Sequence, residues 1–426
     1  MNNRVAMISE HASPAALLGG EDAGGQNVYV DEISRALAAL GFWVDVFTRR
    51  DDPATPEVQP WTDGVRIVNL AAGPPERIKK DDIWPHMPAM RDQLLRFAMR
   101  DQVRYDVVHG NFWMSGWLAS ELRARRRIPA VQLFHALGVT KRLHQGQCDT
   151  SPDERIDVES AVIRGVDRVI ATCPDEVHQL SAHYNAPADR IATIPLGVDQ
   201  RTFRPVDMQE ARKHVDLHLA PGDRVIVYVG RLVPRKGVRD IVRALARLQG
   251  DGLEDAKLVI VGGETPEPDS AATPEIGAIH RLARDLGVAD RVFIVGKRRR
   301  EELRHYYGAG DVMVTTPWYE PFGLTPLEAM ACGRPVIGSN VGGIKYTVQH
   351  QRTGLLVDPE EPAALAAALH SLLTNPSKSR EFGERGRRRV ESMFTWQVVA
   401  RRTGDLYSDL LRSGDSEASF DLAAGD

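Results

Sequence analysis

Cysteine is scarce in this chain. Cys148, Cys173 and Cys332 are its only three, too few and too scattered for a disulfide framework or a zinc site, which fits a reducing compartment. Long apolar runs are missing too: no stretch reaches the roughly 18 residues a membrane helix needs, and Met1-Asn-Asn-Arg-Val-Ala-Met-Ile-Ser9 has no extended apolar core of the kind a secretory leader carries. The expectation is a cytoplasmic protein without an integral membrane segment. A surplus of positive charge is absent, the formal net charge being −4, so nothing recommends nucleic acid as a partner. No short-period repeat is visible, which excludes a solenoid.

What is present is a soluble-type composition, 42% hydrophobic and 26% charged, spread over 426 residues. One hydrophobic core rarely serves more than about 250–300 residues, so two domains are expected. Strand-like runs recur at Arg4–Ser9, Trp43–Phe47, Val65–Leu70, Tyr105–His109, Ala130–Phe134, Arg168–Ala171 and Arg190–Ile194, with helical patterns between most of them. Such alternation argues for a parallel sheet wound on both faces. The pattern loosens over residues 201–223, read as a linker between a first domain, 1–200, and a second, 224–395. The second repeats the alternation at Arg224–Val229, Lys257–Val261, Arg291–Val295, Asp311–Thr315, Pro335–Ile337 and Gly354–Val357. A last helix over 396–412 and a small, acidic, disordered tail over 413–426 complete the expectation.

One stretch organises the second half: Tyr319-Glu-Pro-Phe-Gly-Leu-Thr-Pro-Leu-Glu-Ala-Met-Ala-Cys-Gly333, with seven residues between Glu320 and Glu328. Thr325 suits an N-cap, Pro326 the first helical position and Glu328 a capping box, while Gly333 and Pro335 stop the helix. A helix start after a buried strand presents unpaired N–H groups to an anion. Upstream, Gly230-Arg-Leu-Val-Pro-Arg-Lys-Gly237 joins an apolar strand to an amphipathic helix, which puts Arg231 and Lys236 on one loop, as a phosphate clamp would. Two cations with acidic groups able to hold hydroxyls suggest a ligand with a diphosphate at one end and sugars at the other. In the first half, Gly19-Gly-Glu-Asp-Ala-Gly-Gly25 runs into a helical pattern, so backbone can approach a ligand closely there, and His135 ends an apolar strand.

Taken together, Gly230–Gly237 and Glu320–Glu328 resemble the Gly-Arg-Leu-x-x-x-Lys-Gly and Glu-x7-Glu motifs of glycosyltransferase family 4, the retaining nucleotide-sugar transferases. The resemblance runs from the first strand to about Trp396. It implies an α/β fold of GT-B architecture: two facing Rossmann-like, doubly wound domains with a cleft between them. It is most specific toward sucrose-phosphate synthases and the inositol-phosphate glycosyltransferases of the mycothiol pathway.

Carried over residue by residue, the resemblance gives His135, Arg231, Lys236 and Glu320 catalytic roles. Gly25, Arg298, Phe322, Gly323, Leu324, Thr325 and Glu328 would hold the donor, and Gln26, Asn27, Lys80, Phe112 and Arg155 the acceptor. Lys80 and Arg155 match cations that hold an acceptor phosphate in the two enzyme types. Phe112 replaces a tyrosine of the inositol-phosphate enzyme and Ala136 a Ser or Thr; Tyr346 stands where a glutamate is often found. No Asp-x-Asp occurs anywhere, so a carboxylate-held metal has no obvious seat. Arg231, Lys236 and a helix N-terminus would neutralise the leaving diphosphate instead. No convincing nucleophile is evident on the opposite face, so front-face transfer from UDP-glucose to a sugar phosphate is expected, in a site closed against water. No metal and no cofactor beyond the nucleotide sugar is implied. A lipid-linked or polysaccharide acceptor is the alternative, with Arg123-Ala-Arg-Arg-Arg127 as the candidate docking patch. A non-catalytic nucleotide-sugar-binding subunit would have lost a chemical group, whereas His135, Arg231, Lys236, Glu320 and Glu328 are all present.

Overall fold

A computed structural model describes residues 3–15, 24–146, 149–215, 217, 219–220, 222–250 and 252–423, with side chains described as far as residue 413. Residues 19–23 of the expected glycine-rich loop and Cys148 lie outside the described residues. Two compact units divide the chain: Met1–Pro195 with Trp396–Asp426, and Leu196–Thr395.

The first unit holds β1 (Arg4–Ile8), α1 (Gly25–Ala39), β2 (Trp43–Arg49), β3 (Val58–Thr62), β4 (Val65–Leu70), α2 (Met87–Arg100), β5 (Val107–Asn111) and α3 (Trp113–Arg126). It continues through β6 (Ala130–Leu133), α4 (Gly138–Gln145), α5 (Arg155–Gly165), β7 (Arg168–Ala171), α6 (Pro174–Tyr184) and β8 (Ile191–Thr193). The eight strands pair in the order β3-β4-β2-β1-β5-β6-β7-β8. All pairings are parallel except β3 with β4. The strand β3 carries no apolar run and contains Pro60, tolerable at an edge where the missing N–H faces no neighbour. By contrast every residue of β5 and β6 is buried, as a sheet covered on both faces requires. Phe47 packs edge-on against Phe97 and Tyr105, at 5.6 Å each; a fully buried side chain of this size stabilises by roughly 1.5–3 kcal/mol.

The second unit contains α7 (Met208–His214), β9 (Arg224–Val229), α8 (Val238–Gly250), β10 (Ala256–Val261), α9 (Pro274–Asp285), β11 (Val292–Gly296), α10 (Leu303–Ala309) and β12 (Val312–Thr315). There follow α11 (Leu324–Ala331), β13 (Val336–Ser339), α12 (Ile344–Thr347), β14 (Gly354–Val357), α13 (Pro362–Leu373) and α14 (Pro376–Met393). Six parallel strands run in the order β11-β10-β9-β12-β13-β14. In α8 the buried positions Val238, Ile241, Val242, Leu245 and Leu248 form the stripe that seats a helix on a sheet. Residues 201–223, expected as a linker, contain α7, capped by Asp207 on the N–H groups of Gln209 and Glu210, and belong to the second unit.

The chain then returns to the first unit as α15 (Trp396–Ala423), which runs past the end expected near residue 412. Trp396 meets the Tyr29 ring at 5.9 Å, and the Tyr407 hydroxyl lies 2.6 Å from His109 Nδ1. Among the described residues, no helix is long and apolar enough to cross a membrane.

In each sheet the order of winding reverses at one switch point, between the parallel neighbours β1 and β5 in the first unit and β9 and β12 in the second. In open α/β sheets the crevice beyond the carboxyl ends of strands at such a reversal is where ligands bind.

Candidate active site

In the second unit the two singled-out loops leave the carboxyl ends of β9 and β12 and are fastened together. Thr316 Oγ1 donates to the Gly237 carbonyl at 3.0 Å, and Trp318 N–H to the Arg235 carbonyl at 2.9 Å. Gly237 has φ +66°, and a Cβ there would lie 2.1 Å from the Thr316 oxygen, so only glycine fits. The consequence is a salt bridge between Lys236 and Glu320, residues 84 positions apart, each part-exposed. Glu320 is held from below as well: Gly343 N–H donates to its carbonyl at 3.1 Å, and a Cβ on Gly342 would meet that oxygen at 2.0 Å. Arg231 is exposed, with no side-chain hydrogen bond or ion pair among the described residues.

The helix start differs from the expected one. Gly323, at φ +87°, is the N-cap of α11, so Leu324 and Thr325 open the helix and Pro326 is its third residue rather than its first. Thr325 makes no cap and Glu328 no capping box. Instead Glu328 is buried and accepts a hydrogen bond from the Tyr307 hydroxyl at 2.8 Å. Burial lifts its carboxyl above the usual carboxylate range, against the opposing charge of Arg300 and that hydrogen bond. Gly323, Leu324 and Thr325 stay partly exposed, whereas Phe322 is buried against Phe394. Arg298, expected to hold the donor, directs its guanidinium to the Pro266 carbonyl at 2.7 Å and the Tyr306 hydroxyl at 3.0 Å. It braces the loop after β10.

In the first unit the residues gather at the ends of β1, β5 and β6. His135, at φ +60°, sets its Nε2 3.1 Å from Asn111 Oδ1 and its ring edge-on to Tyr29 at 5.2 Å. Burial, reinforced by His109 and His11, pushes its pKa down to about 3, so the imidazole is neutral. Phe112, also left-handed at φ +80°, has Arg155 over its ring at 4.9 Å, Lys80 at 5.9 Å and the His11 ring edge-on at 5.0 Å.

Two expected acceptor contacts take other work. Asn27 is buried, its Oδ1 accepting from Gly24 N–H and its Nδ2 donating to the Ser13 carbonyl, both at 3.0 Å; it ties Ser13 to the start of α1. Arg155 is 1% exposed and donates to Glu159 Oε1 (2.8 Å), Ser151 Oγ (3.1 Å) and the Ala136 carbonyl (2.6 Å). Glu159 in turn accepts from Gly138 N–H at the start of α4, at 2.9 and 3.1 Å. The pair therefore fixes the turn that carries His135. Gln26 is half-buried and spans β1 and β5, donating to Ser9 Oγ and the Asn111 carbonyl at 3.2 and 3.3 Å. Gly25 is exposed at the first turn of α1.

Sequence reasoning missed Glu10, His11, Asn111, Glu159 and Tyr307. Glu10 is buried, contacts His11 Nδ1 at 2.7 Å and accepts from the Ser115 hydroxyl. For Glu10, His11 and Asn111 the available signal was a polar residue at or just after the end of an apolar strand, where a strand end meets a crevice; Glu159 and Tyr307 lie within helices and gave no such signal. Two of the four arginines proposed as a membrane patch are engaged on the surface, Arg123 with Asp167 at 2.7 Å and Arg125 with Glu121 at 3.0 Å. Among the described residues no three His, Cys, Asp or Glu side chains gather as a metal site would need.

Comparison with known proteins gives two family matches, "Glycosyl transferase 4-like domain" over residues 24–197 and "Glycosyl transferases group 1" over residues 209–389. The chain is 37% identical to D-inositol 3-phosphate glycosyltransferase 2 of Catenulispora acidiphila, covering 99% of this chain and 98% of that protein. It is 33% identical to the D-inositol 3-phosphate glycosyltransferase of Corynebacterium diphtheriae, covering 100% and 99%. Among solved structures it is similar to the sucrose-phosphate synthase of Thermosynechococcus elongatus, with TM-score 0.86 and 36% identity over 97% of this chain and 100% of that one.

Proposed function

We propose that this chain, which belongs to glycosyltransferase family 4 and has the GT-B fold, moves a hexose from a nucleotide sugar to a small phosphorylated polyhydroxy acceptor. The observation that carries the acceptor class is Lys80, part-exposed and 5.9 Å from the Phe112 ring, beside the turn of His135 that the buried Arg155 braces. The names of its relatives support the same class, one acting on an inositol phosphate and one making sucrose phosphate.

In this reading the donor is UDP-glucose. Its diphosphate draws Lys236 away from Glu320, which frees the carboxylate for hexose hydroxyls. Arg231 and the N–H groups that open α11 share the developing negative charge, so no metal is called for. The bond from the anomeric carbon to the diphosphate breaks while a bond to the acceptor oxygen forms on the same face. The acceptor's proton passes to the leaving phosphate oxygen, and configuration is retained. We assign His135, neutral and hydrogen-bonded to Asn111, to the developing oxocarbenium centre and Glu328 to the ribose. The three scattered cysteines suit a reducing compartment, and we assign the reaction to the cytoplasm.

The test is UDP release from UDP-glucose in EDTA, with fructose 6-phosphate, inositol phosphate, their unphosphorylated counterparts or buffer alone. Release that requires a phosphorylated acceptor, with an axial glycosidic bond in the product by NMR, is the expected result. Equal rates with and without the acceptor phosphate, or dependence on added metal, would overturn the reading.

A further inference from the structure

The second unit carries a basic cavity that the transfer reaction does not use. It has a volume of about 350 Å³ and is lined by Gln349, Arg352, Thr353, Arg385 and Arg388. That volume lies at the lower end of small-ligand pockets, which run from about 300 to 1,000 Å³. One wall is the turn ahead of β14, closed by Thr353 Oγ1 accepting from Gln349 N–H at 2.9 Å. The other is α14, which bears six cations, Lys378, Arg380, Arg385, Arg387, Arg388 and Arg389, against three carboxylates.

Charge in this cavity is left over. Arg385 pairs with Glu381 at 2.5 Å, but neither Arg352 nor Arg388 has a carboxylate partner among the described residues. The surplus is felt nearby: the Arg389 guanidinium is held below its ordinary range by burial, and Arg352's charge adds to that. Like charges facing one another across a concave wall raise each other's energy, and an anion between them removes the cost. Guanidinium groups match the oxygens of a phosphomonoester in fork geometry, and Gln349 and Thr353 supply neutral polar groups beside them.

We infer that the cavity between the Gln349–Thr353 turn and α14 binds a small phosphorylated molecule, one per chain, through Arg352, Arg385 and Arg388. The inference goes beyond the proposed reaction and does not depend on it. An anion here joins the turn to a helix that already grips α12, through Arg389 donating to the Tyr346 and Thr347 carbonyls at 2.8 and 3.1 Å.

The experiment is calorimetric titration of the full chain with inorganic phosphate at fixed ionic strength. Saturating UDP and a Lys80→Ala background silence the two phosphate positions of the proposed reaction. One phosphate should bind per chain. The Arg352→Gln/Arg388→Gln pair should weaken it at least about tenfold, since each substitution removes charge-assisted hydrogen bonds to the anion. Both side chains are exposed, so the fold is expected to survive; Arg388→Gln alone serves if the double variant does not fold. No heat beyond that of matched sodium chloride, equal binding in the variant, or binding of heparin without binding of phosphate would each overturn the inference.

Discussion

The two units present their functional groups in opposite ways. In the second, Lys236 and Glu320 are part-exposed and bonded to each other, on loops whose backbones are pinned. A pair of this kind contributes about 1 kcal/mol or less, so an arriving diphosphate can replace it. In the first, Arg155, Glu159 and Asn27 are buried and bonded to backbone groups. Breaking a buried pair costs roughly 3–5 kcal/mol, so those groups serve as scaffold. One unit keeps its charges exchangeable; the other spends them to hold His135 and Phe112 in left-handed backbone conformations.

The largest effect that would sharpen this contrast is on turnover. Lys236→Ala should lower kcat for UDP release about 10²- to 10³-fold, the loss seen when one group stabilising transition-state charge is removed. Unfolding of the second unit in urea should stay nearly unchanged. Comparable losses of activity and stability would break the distinction.

Arg155→Met should do the reverse in kind. It leaves Glu159 buried and should destabilise the first unit by roughly 3 kcal/mol, read by hydrogen exchange over α4 and α5. If instead only the KM for a phosphorylated acceptor rises, Arg155 is a ligand contact and the scaffold reading fails.

Acidification should also separate the units. His109 and His135 are each pushed down to about 3, chiefly by burial, whereas the unfolded chain protonates near 6.5. The folded first unit therefore binds fewer protons. Its stability is complete above pH 6.5 and falls as the pH drops below that, by roughly 2 kcal/mol per histidine at pH 5. In the second unit His305 is lowered in the same direction by burial, next to a stacked His214, but is partly exposed. Exchange measured at pH 7 and pH 5 should show the larger loss in the first unit.

The smallest effect is that of Gly237→Ala, at roughly 2 kcal/mol from φ +66° and the clash with Thr316. It should lower the urea midpoint of the second unit alone.

The sequence made the sheets legible because their strands are unbroken apolar runs. The strand β3 escaped, since Val58-Gln-Pro-Trp-Thr62 has neither alternation nor a run and is held only by its neighbour β4. Chemistry was legible where residue type and spacing act together, as for Lys236 and Glu320. It was not legible where the partner lies far along the chain: Tyr307 takes the carboxyl of Glu328 that local spacing assigned to a capping box, and Gly323 rather than Thr325 turns the chain into α11. Arg155 shows the same limit. Its charge suggested a ligand, and only the fold reveals three protein acceptors around it.

The return of α15 to the first unit sets an order of assembly on the ribosome. Residues 196–395 can complete their own core as soon as they emerge, whereas the unit that begins at the N-terminus stays unfinished until the last helix is made. Until then His109 lacks the hydroxyl of Tyr407, and Tyr29 lacks the Trp396 ring. A chain released after Thr395 would possess every strand of both sheets and still leave open the face of α1 that α15 covers. The unit whose strands come first in the chain is thus the one whose core closes only once α15 has been made.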